Sequence, residues 1–255
     1  MNICAIIPTY NNAGTIIDVV NRTLDVLPDV IVVNDGCTDS TQHLLEELSA
    51  RRPFEIIRFE HNRGKGAALR SAFALARQKG YDYAVTLDGD GQHYPEDIPL
   101  LTNAVEKYLV VNPHRDVLVV GSRNLNADGM PQANTFANKF SNFWFAVQTF
   151  RRLPDTQTGF RAYPLRALPR FGVTNRYESE LALLVLSAWR GVALVPQAVR
   201  VYYPPSEERV SHFRPFADFF RISVLNTLLC LVAIVYGYPS MLVNGILRGS
   251  RKNGE

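Results

Sequence analysis

The chain has 255 residues, 47% apolar and 20% charged, the balance of a packed globular protein, which excludes general disorder. That length suits one large α/β domain, alone or with a small appendage. The net charge is +3, and seven Lys/Arg against four Asp/Glu from Arg200 onward place the whole excess in the tail. No basic stripe runs through the remainder, which argues against a nucleic-acid partner.

In chain order, MNICAIIPTY carries neither a positive leader nor a cleavage site and is expected to be the first strand, over Cys4 to Ile7. Further strands are predicted at Val30 to Val33, Ile56 to Phe59, Tyr83 to Leu87 and Val117 to Gly121. These runs are almost continuously apolar, as in strands covered on both faces. Helices are predicted between them: Thr15 to Leu27, a stretch through Leu44, Leu45 and Leu48 capped by Thr38 or Asp39, and Ala67 to Gln78. Strands alternating with helices imply βαβ units and a mainly parallel, Rossmann-like sheet flanked by helices. Beyond Gly121 come an aromatic-rich helix from Asn134 to Phe150, a helix from Tyr177 to Trp189 and a last strand region from Val192 to Val201.

The tail is strongly apolar from Ile222 to Val243, with breaks expected at Asn226, Gly237 and Pro239. Its clean run, Leu228 to Tyr236, is short against the roughly 20 residues that a bilayer span requires, so a helix or hairpin lying in a membrane interface is expected. The division drawn from this pattern is a main domain over 1–205 and a basic, apolar helical tail over 206–255. Cys4, Cys37 and Cys230 have no metal-site or disulfide spacing, which suits a reducing compartment.

Three segments carry chemistry. Leu87-Asp88-Gly89-Asp90-Gly91-Gln92-His93 follows a buried strand, so it lies at the carboxyl end where open α/β sheets bind ligands. Paired carboxylates there need a cation, and Asp90 and Gln92 offer the hard oxygens that magnesium or manganese prefers. Such an ion bridges two phosphates and acts as a Lewis acid on a leaving diphosphate. Val33 to Asp39 ends another strand, where Asp35 is placed to bind a ribose or base. Asn62-Arg63-Gly64-Lys65-Gly66 puts two glycines and two cations at a helix start, a setting for an anion. No Walker ending and no Gly-X-Gly-X-X-Gly follow, which argues against a P-loop enzyme or a dinucleotide oxidoreductase.

Taken with Ile7 to Asn11, Gly121-Ser122-Arg123 and Asp155 to Arg161, these motifs stand in the order found in family 2 glycosyltransferases. Over about residues 3 to 200 the chain resembles the dolichol- or polyprenyl-phosphate sugar synthase branch. The resemblance implies a GT-A fold and an inverting transfer of a hexose from a UDP- or GDP-sugar to a lipid-linked acceptor, a polyprenyl phosphate. It implies that Pro8, Tyr10, Asn11, Asp35, Lys65, Asp88 and Gly89 bind the donor, and that Asp88, Asp90 and Gln92 form the Mn2+ or Mg2+ set. Arg123, Arg161 and Arg214 would face the acceptor, Asp155 would lie on the acceptor side of the sugar, and Glu178 or Glu180 would be the acidic residue of a helix beside the site. Asn34 and Cys37 depart from the family's usual Asp and Ser, and the tail from Ser206 to Asn226, with His212, Arg214 and Arg221, does not map onto the well-known synthases. The location implied is the cytoplasmic side of a membrane, peripheral or monotopic.

Two acceptor chemistries remain open from the residues alone. A phosphate is already an anion and needs only cations, from Arg123 and from tail arginines such as Arg209 or Arg214. A hydroxyl on a lipid or glycan needs a base, for which Asp155 and Glu180 are the candidates. The rival from another class is a nucleotide-sugar binding protein without catalysis.

Overall fold

The computed structural model describes residues 1–124, 132–169, 174–203 and 215–252. Seven strands form one sheet: β1 (Ile3–Thr9), β2 (Val30–Asn34), β3 (Glu55–Arg58), β4 (Tyr83–Thr86), β5 (Val117–Ser122), β6 (Arg161–Pro164) and β7 (Ala193–Ala198). The helices are α1 (Ile16–Val26), α2 (Thr41–Arg51), α3 (Lys65–Gln78), α4 (Ile98–Val111), α5 (Gln132–Thr149), α6 (Glu178–Trp189), α7 (Pro215–Val232) and α8 (Tyr238–Lys252). The sheet order is β3-β2-β1-β4-β6-β5-β7. All pairings are parallel except those of β6, which runs antiparallel to both β4 and β5.

The first five predicted strands are present within one or two residues, because buried runs such as Cys4–Ile7 and Val30–Val33 have no solvated alternative, whereas the last, expected over Val192 to Val201, is the shorter Ala193–Ala198. Two cores flank the sheet. Ile7, Val19, Val20, Leu45, Leu101 and Val105 lie on one side, from α1, α2 and α4. Leu69, Phe73, Leu184 and Trp189 lie on the other, from α3 and α6. The cap of α2 differs from expectation: Ser40 holds that position, while Asp39 accepts the N–H of Thr41 at 3.0 Å and that of Ala13 at 3.2 Å.

The tail also departs from expectation. Instead of breaking at Gly237 and Pro239, α7 passes into α8 through a single π-turn over Ala233–Gly237. Proline has no N–H, and its ring crowds the carbonyl four residues back; the wider turn absorbs both. Leu225, Leu229, Ala233 and Gly237 recur every fourth residue and are buried against the body of the protein. A side chain at Gly237 would collide with the Trp189 ring, so only glycine lets the helix approach there. Polar ties run along the same contact. Gln148 donates to the Asn226 side chain at 3.1 Å, the Tyr238 hydroxyl to the Val147 carbonyl at 2.9 Å, and Ser240 and Asn244 to the Trp189 carbonyl at 2.9 and 3.0 Å. The stretch Arg221–Ile246 is long and apolar enough to cross a membrane by length and composition.

Candidate active site

The sheet order reverses between β1 and β4: β2 and β3 extend on one side of this point, and β6, β5 and β7 on the other. Open α/β sheets bind ligands in the crevice at such a switch point, beyond the carboxyl ends of the strands. Here that crevice gathers the ends of β1, β2, β4 and β5 with the first turns of α3 and α6.

On the β1–β2 side, Asn11 is pinned to the loop after β2. Its backbone N–H donates to Cys37 Sγ at 3.2 Å, and its carbonyl Oδ1 accepts the N–H of Thr38 at 2.8 Å. Pro8 pairs with Val33 in the strand ladder. Asp35 is buried and accepts the N–H groups of Arg63 and Gly64 at 2.7 and 2.8 Å. Burial raises its pKa, and those two bonds offset part of the rise. The residue expected at the nucleoside therefore also clamps the glycine loop that opens α3. Asn34, the departure from the family pattern, accepts the N–H of Cys37 at 2.7 Å and so shapes the same turn.

Lys65, the first residue of α3, reaches into the crevice. Its Nζ lies 2.5 Å from Asp88 Oδ1 and 2.8 Å from Glu180 Oε2. Burial works against its charge, but the two carboxylates outweigh burial and hold it firmly protonated. Gly159 makes room for the pair, since a Cβ there would stand 2.6 Å from Nζ and 2.8 Å from Asp88 Oδ2.

Asp88 follows β4, and its pKa is lowered because Lys65, then His93, outweigh the effect of burial. Asp90 has no such partner. Burial, then the charge of Asp88, push it up to about 6. Its Oδ1 accepts the N–H of Gln92 at 3.0 Å, which shapes the turn. Thr15 donates to the Gly89 carbonyl at 2.7 Å and fixes the loop from the other side. His93 Nδ1 accepts the N–H of Asp88 at 3.1 Å while the ring stacks on Phe160 at 5.2 Å. Burial lowers its pKa to about 4, so it is a neutral support at physiological pH.

Among the described residues no three His, Cys, Asp or Glu side chains are gathered as metal ligands. The donor set still fits a hard dication. Asp90 and Gln92 offer oxygens, and burial, then the neighbouring charge of Asp88, make ionising Asp90 costly, a cost that a bound cation offsets. Magnesium-type sites commonly take one or two carboxylates and complete their shell with substrate phosphates.

Just past the end of β5, Arg123 grips Asp155. Its Nε and Nη2 donate at 2.6 and 3.0 Å. Asp155 is 0% exposed and also receives Asn138 Nδ2 at 2.5 Å and the N–H groups of Gln157 and Thr158 at 3.0 and 3.2 Å. Burial would raise its pKa, yet Arg123 and these donors together hold it below the ordinary value. Asn138 is not among the residues that the sequence motifs single out, and nothing in the sequence separates it from the other amides of α5, Asn142 and Gln148.

Arg161 is not where an acceptor contact would be. It is 0% exposed, and its guanidinium donates to the carbonyls of Glu180 at 2.8 Å and Thr156 at 2.9 Å and to the Tyr163 hydroxyl at 3.1 Å. It is a strut between the Asp155 loop and α6. Glu180 is 6% exposed and committed to Lys65, with Oε1 lacking a hydrogen-bond partner. Arg209, His212 and Arg214 lie outside the described residues.

The family model described as Glycosyl transferase family 2 matches residues 4–168. An uncharacterized protein of Methanocaldococcus jannaschii is 30% identical over 82% of this chain and 90% of its own length. A UDP-N-acetylglucosamine--dolichyl-phosphate N-acetylglucosaminyltransferase of Methanococcus voltae is 31% identical over 71% of this chain and 78% of its own. Glucosyl-3-phosphoglycerate synthase from Mycobacterium tuberculosis, solved with Mn2+, UDP and glucosyl-3-phosphoglycerate, superposes with a TM-score of 0.63 at 18% identity, over 91% of this chain and 79% of that one. The last likeness shows the fold, a GT-A arrangement.

Proposed function

This chain belongs to glycosyl transferase family 2, and from that premise we propose that it moves a hexose from a UDP- or GDP-sugar to a polyprenyl phosphate, with inversion at the anomeric carbon. The observation that carries the acceptor assignment is the state of Asp155. It is 0% exposed, it accepts hydrogen bonds from Arg123, Asn138 and the N–H of Gln157, and its pKa is lowered. A carboxylate so engaged is a poor proton acceptor, and Glu180 is engaged by Lys65. With neither candidate base available, the reading favours a nucleophile that needs none. A phosphate monoester is such a nucleophile, and Arg123, held flat and oriented by Asp155, supplies the charge to receive it.

In this reading one phosphate oxygen forms a bond to the anomeric carbon from the face opposite the leaving diphosphate. The carbon–oxygen bond to the diphosphate breaks, and the nucleoside diphosphate departs. The β1 and β2 ends, with Asn11 and Asp35, orient the nucleoside, and Lys65 contributes positive charge beside the diphosphate. Asp88, Asp90 and Gln92 would hold a magnesium or manganese ion, which would offset the charge growing on the leaving group. The Methanococcus relative named for a dolichyl-phosphate acceptor and the Mycobacterium structure containing Mn2+ and UDP support this assignment.

The outer face of α7 and α8 supports a membrane setting. Leu228, Leu231, Ile234, Val235, Leu242 and Ile246 are 54–81% exposed, and Phe143 of α5 and Phe150 just beyond it add aromatic surface. The inner face is tied to α5 and α6 along its length, so we read the helix as lying in one leaflet's interface, its side on the lipid, rather than crossing. The test is sugar transfer from a panel of UDP- and GDP-sugars to polyprenyl phosphate and to the matching polyprenol, in vesicles with manganese. Product on the phosphate alone is expected. Equal transfer to the alcohol overturns the acceptor assignment, and no transfer or slow donor hydrolysis with any sugar overturns the enzyme reading.

A further inference from the structure

The residue expected to ligate metal already holds a cation, and that cation is part of the protein. Lys65 Nζ sits 2.5 Å from Asp88 Oδ1 and 2.8 Å from Glu180 Oε2, with only 11% of the lysine side chain exposed. At such separations a lysine and a dication cannot both occupy the inner side of the Asp88 carboxylate without strong repulsion. Glu180 is the other half of the arrangement. It lies on the first turn of α6, is 6% exposed, and has one oxygen on Lys65 and the other without a partner. Its backbone carbonyl is fixed by the buried Arg161. The glutamate is thus a rigid anchor that fixes where the lysine points, and the absence of a side chain at Gly159 leaves room for the Lys65–Asp88 pair.

We infer that Lys65 is a resident counter-ion that withholds Asp88 from metal until a nucleoside diphosphate enters, and that Glu180 is the positioning residue that keeps it there. The inference rests on the reading of this crevice as a nucleotide-diphosphate site. The diphosphate offers Lys65 a new anionic partner, the ammonium moves off Asp88, and Asp88 joins Asp90 and Gln92. Metal and nucleotide then bind with strong mutual dependence, as linkage requires of two ligands that share one exchange. The free protein keeps Asp88 in an ion pair without metal, and a dication is held tightly only where a leaving diphosphate is present.

Manganese binding, followed by electron paramagnetic resonance, tests this without reference to turnover. The unaltered protein is titrated with Mn2+ alone and with Mn2+ in the presence of UDP or GDP. The variant Lys65→Met with Glu180→Gln removes one positive and one negative charge together, so a tighter site cannot be attributed to a change in net charge. It is expected to bind Mn2+ alone about tenfold more tightly than the unaltered protein, within the range of coupling seen between contacting groups, and to lose most of the nucleotide enhancement. Manganese binding no tighter than in the unaltered protein overturns the inference.

Should that variant fail to fold, the lysine side-chain 1H–15N spectrum of the unaltered protein decides. The buried ammonium is expected to give a slowly exchanging resonance that UDP or GDP moves and Mn2+ alone does not. A resonance moved equally by Mn2+ alone overturns the inference. If neither nucleotide alters manganese binding or the spectrum, the nucleotide-diphosphate reading fails; the exclusion of metal by Lys65 then stands or falls on the double variant alone.

Discussion

Asp88 and Asp90 are two residues apart and live under opposite electrostatics. Lys65 holds the first below the ordinary carboxylate range, whereas burial and the charge of Asp88 raise the second to about 6. The sign of the resulting pH effect follows from which state binds the proton more tightly. An unfolded aspartate titrates near 3.9, so in metal-free protein Asp90 favours the fold while protonated. That contribution is lost as pH rises from about 4 through about 6. Metal must displace the same proton, so its affinity runs the other way. The manganese-induced rise in melting temperature, with nucleotide present, is expected to be small at pH 5 and to reach a plateau above about pH 7. A shift independent of pH over that interval would remove Asp90 from the metal set. At this scale the sequence is a good guide to position and a poor one to role. Asp35, Lys65, Asp88 and Asp90 are legible because each follows a buried strand or opens a helix. The binding of Asp155 by Arg123, 32 residues away, is not legible, since no local pattern encodes it. Nor is the use of Arg161 as an internal strut, because a buried arginine and a surface arginine read alike until their partners are known.

The elements that the sequence hides or misplaces have identifiable causes. Strand β6, Arg-Ala-Tyr-Pro, shows no apolar run because its arginine is buried through hydrogen bonds rather than hydrophobicity, and its proline closes the strand. Helix α4 opens with a proline next to its first residue and buries only Ile98, Leu101 and Val105, a sparse stripe easily passed over. The junction of α7 and α8 reads as a break because glycine and proline ordinarily end helices. Here the π-turn carries the chain past Pro239, and Gly237 admits the Trp189 ring. Gly237→Ala is therefore expected to destabilise by about 1–3 kcal/mol through overpacking. For a chain of this size that is a fall of several degrees in melting temperature. Gly245, where an added Cβ would meet nothing within 4 Å, is the control: alanine there should leave the melting temperature unchanged or slightly raised. Equal effects at the two glycines would mean that the Trp189 contact does not set the helix position.

For the molecule as a whole, the tail both fills the core and presents an exposed apolar face. Leu225, Leu229 and Ala233 belong to the same buried cluster as Leu184 and Trp189, so removal of residues 206–255 strips one wall from that cluster. Truncation after Pro205 is expected to give insoluble or molten protein, readable as lost near-ultraviolet dichroism and dye binding to exposed apolar surface. By contrast, Leu231→Ser, Val235→Ser and Leu242→Ser together alter only the outer face, where the three side chains are 59%, 81% and 69% exposed. This variant is expected to keep its melting temperature and lose flotation with anionic vesicles. Retained flotation would place the lipid contact elsewhere. The expected boundary at residue 205 thus becomes, on this proposal, a change of role along one cooperative unit.

The path by which the chain leaves β7 has a further consequence. Val201 bridges His93, the N–H of Tyr202 donates to the Gln92 carbonyl at 2.8 Å, and Arg200 grips Asp97 at 2.6 Å while lying 4.9 Å over the Tyr94 ring. The exit strand is stitched to the same loop that carries Asp88 and Asp90. Anything that stiffens this loop must also slow the opening of the stitch. The amide of Tyr202 is therefore a built-in gauge of occupancy: its deuterium uptake should slow when nucleotide and manganese are added together.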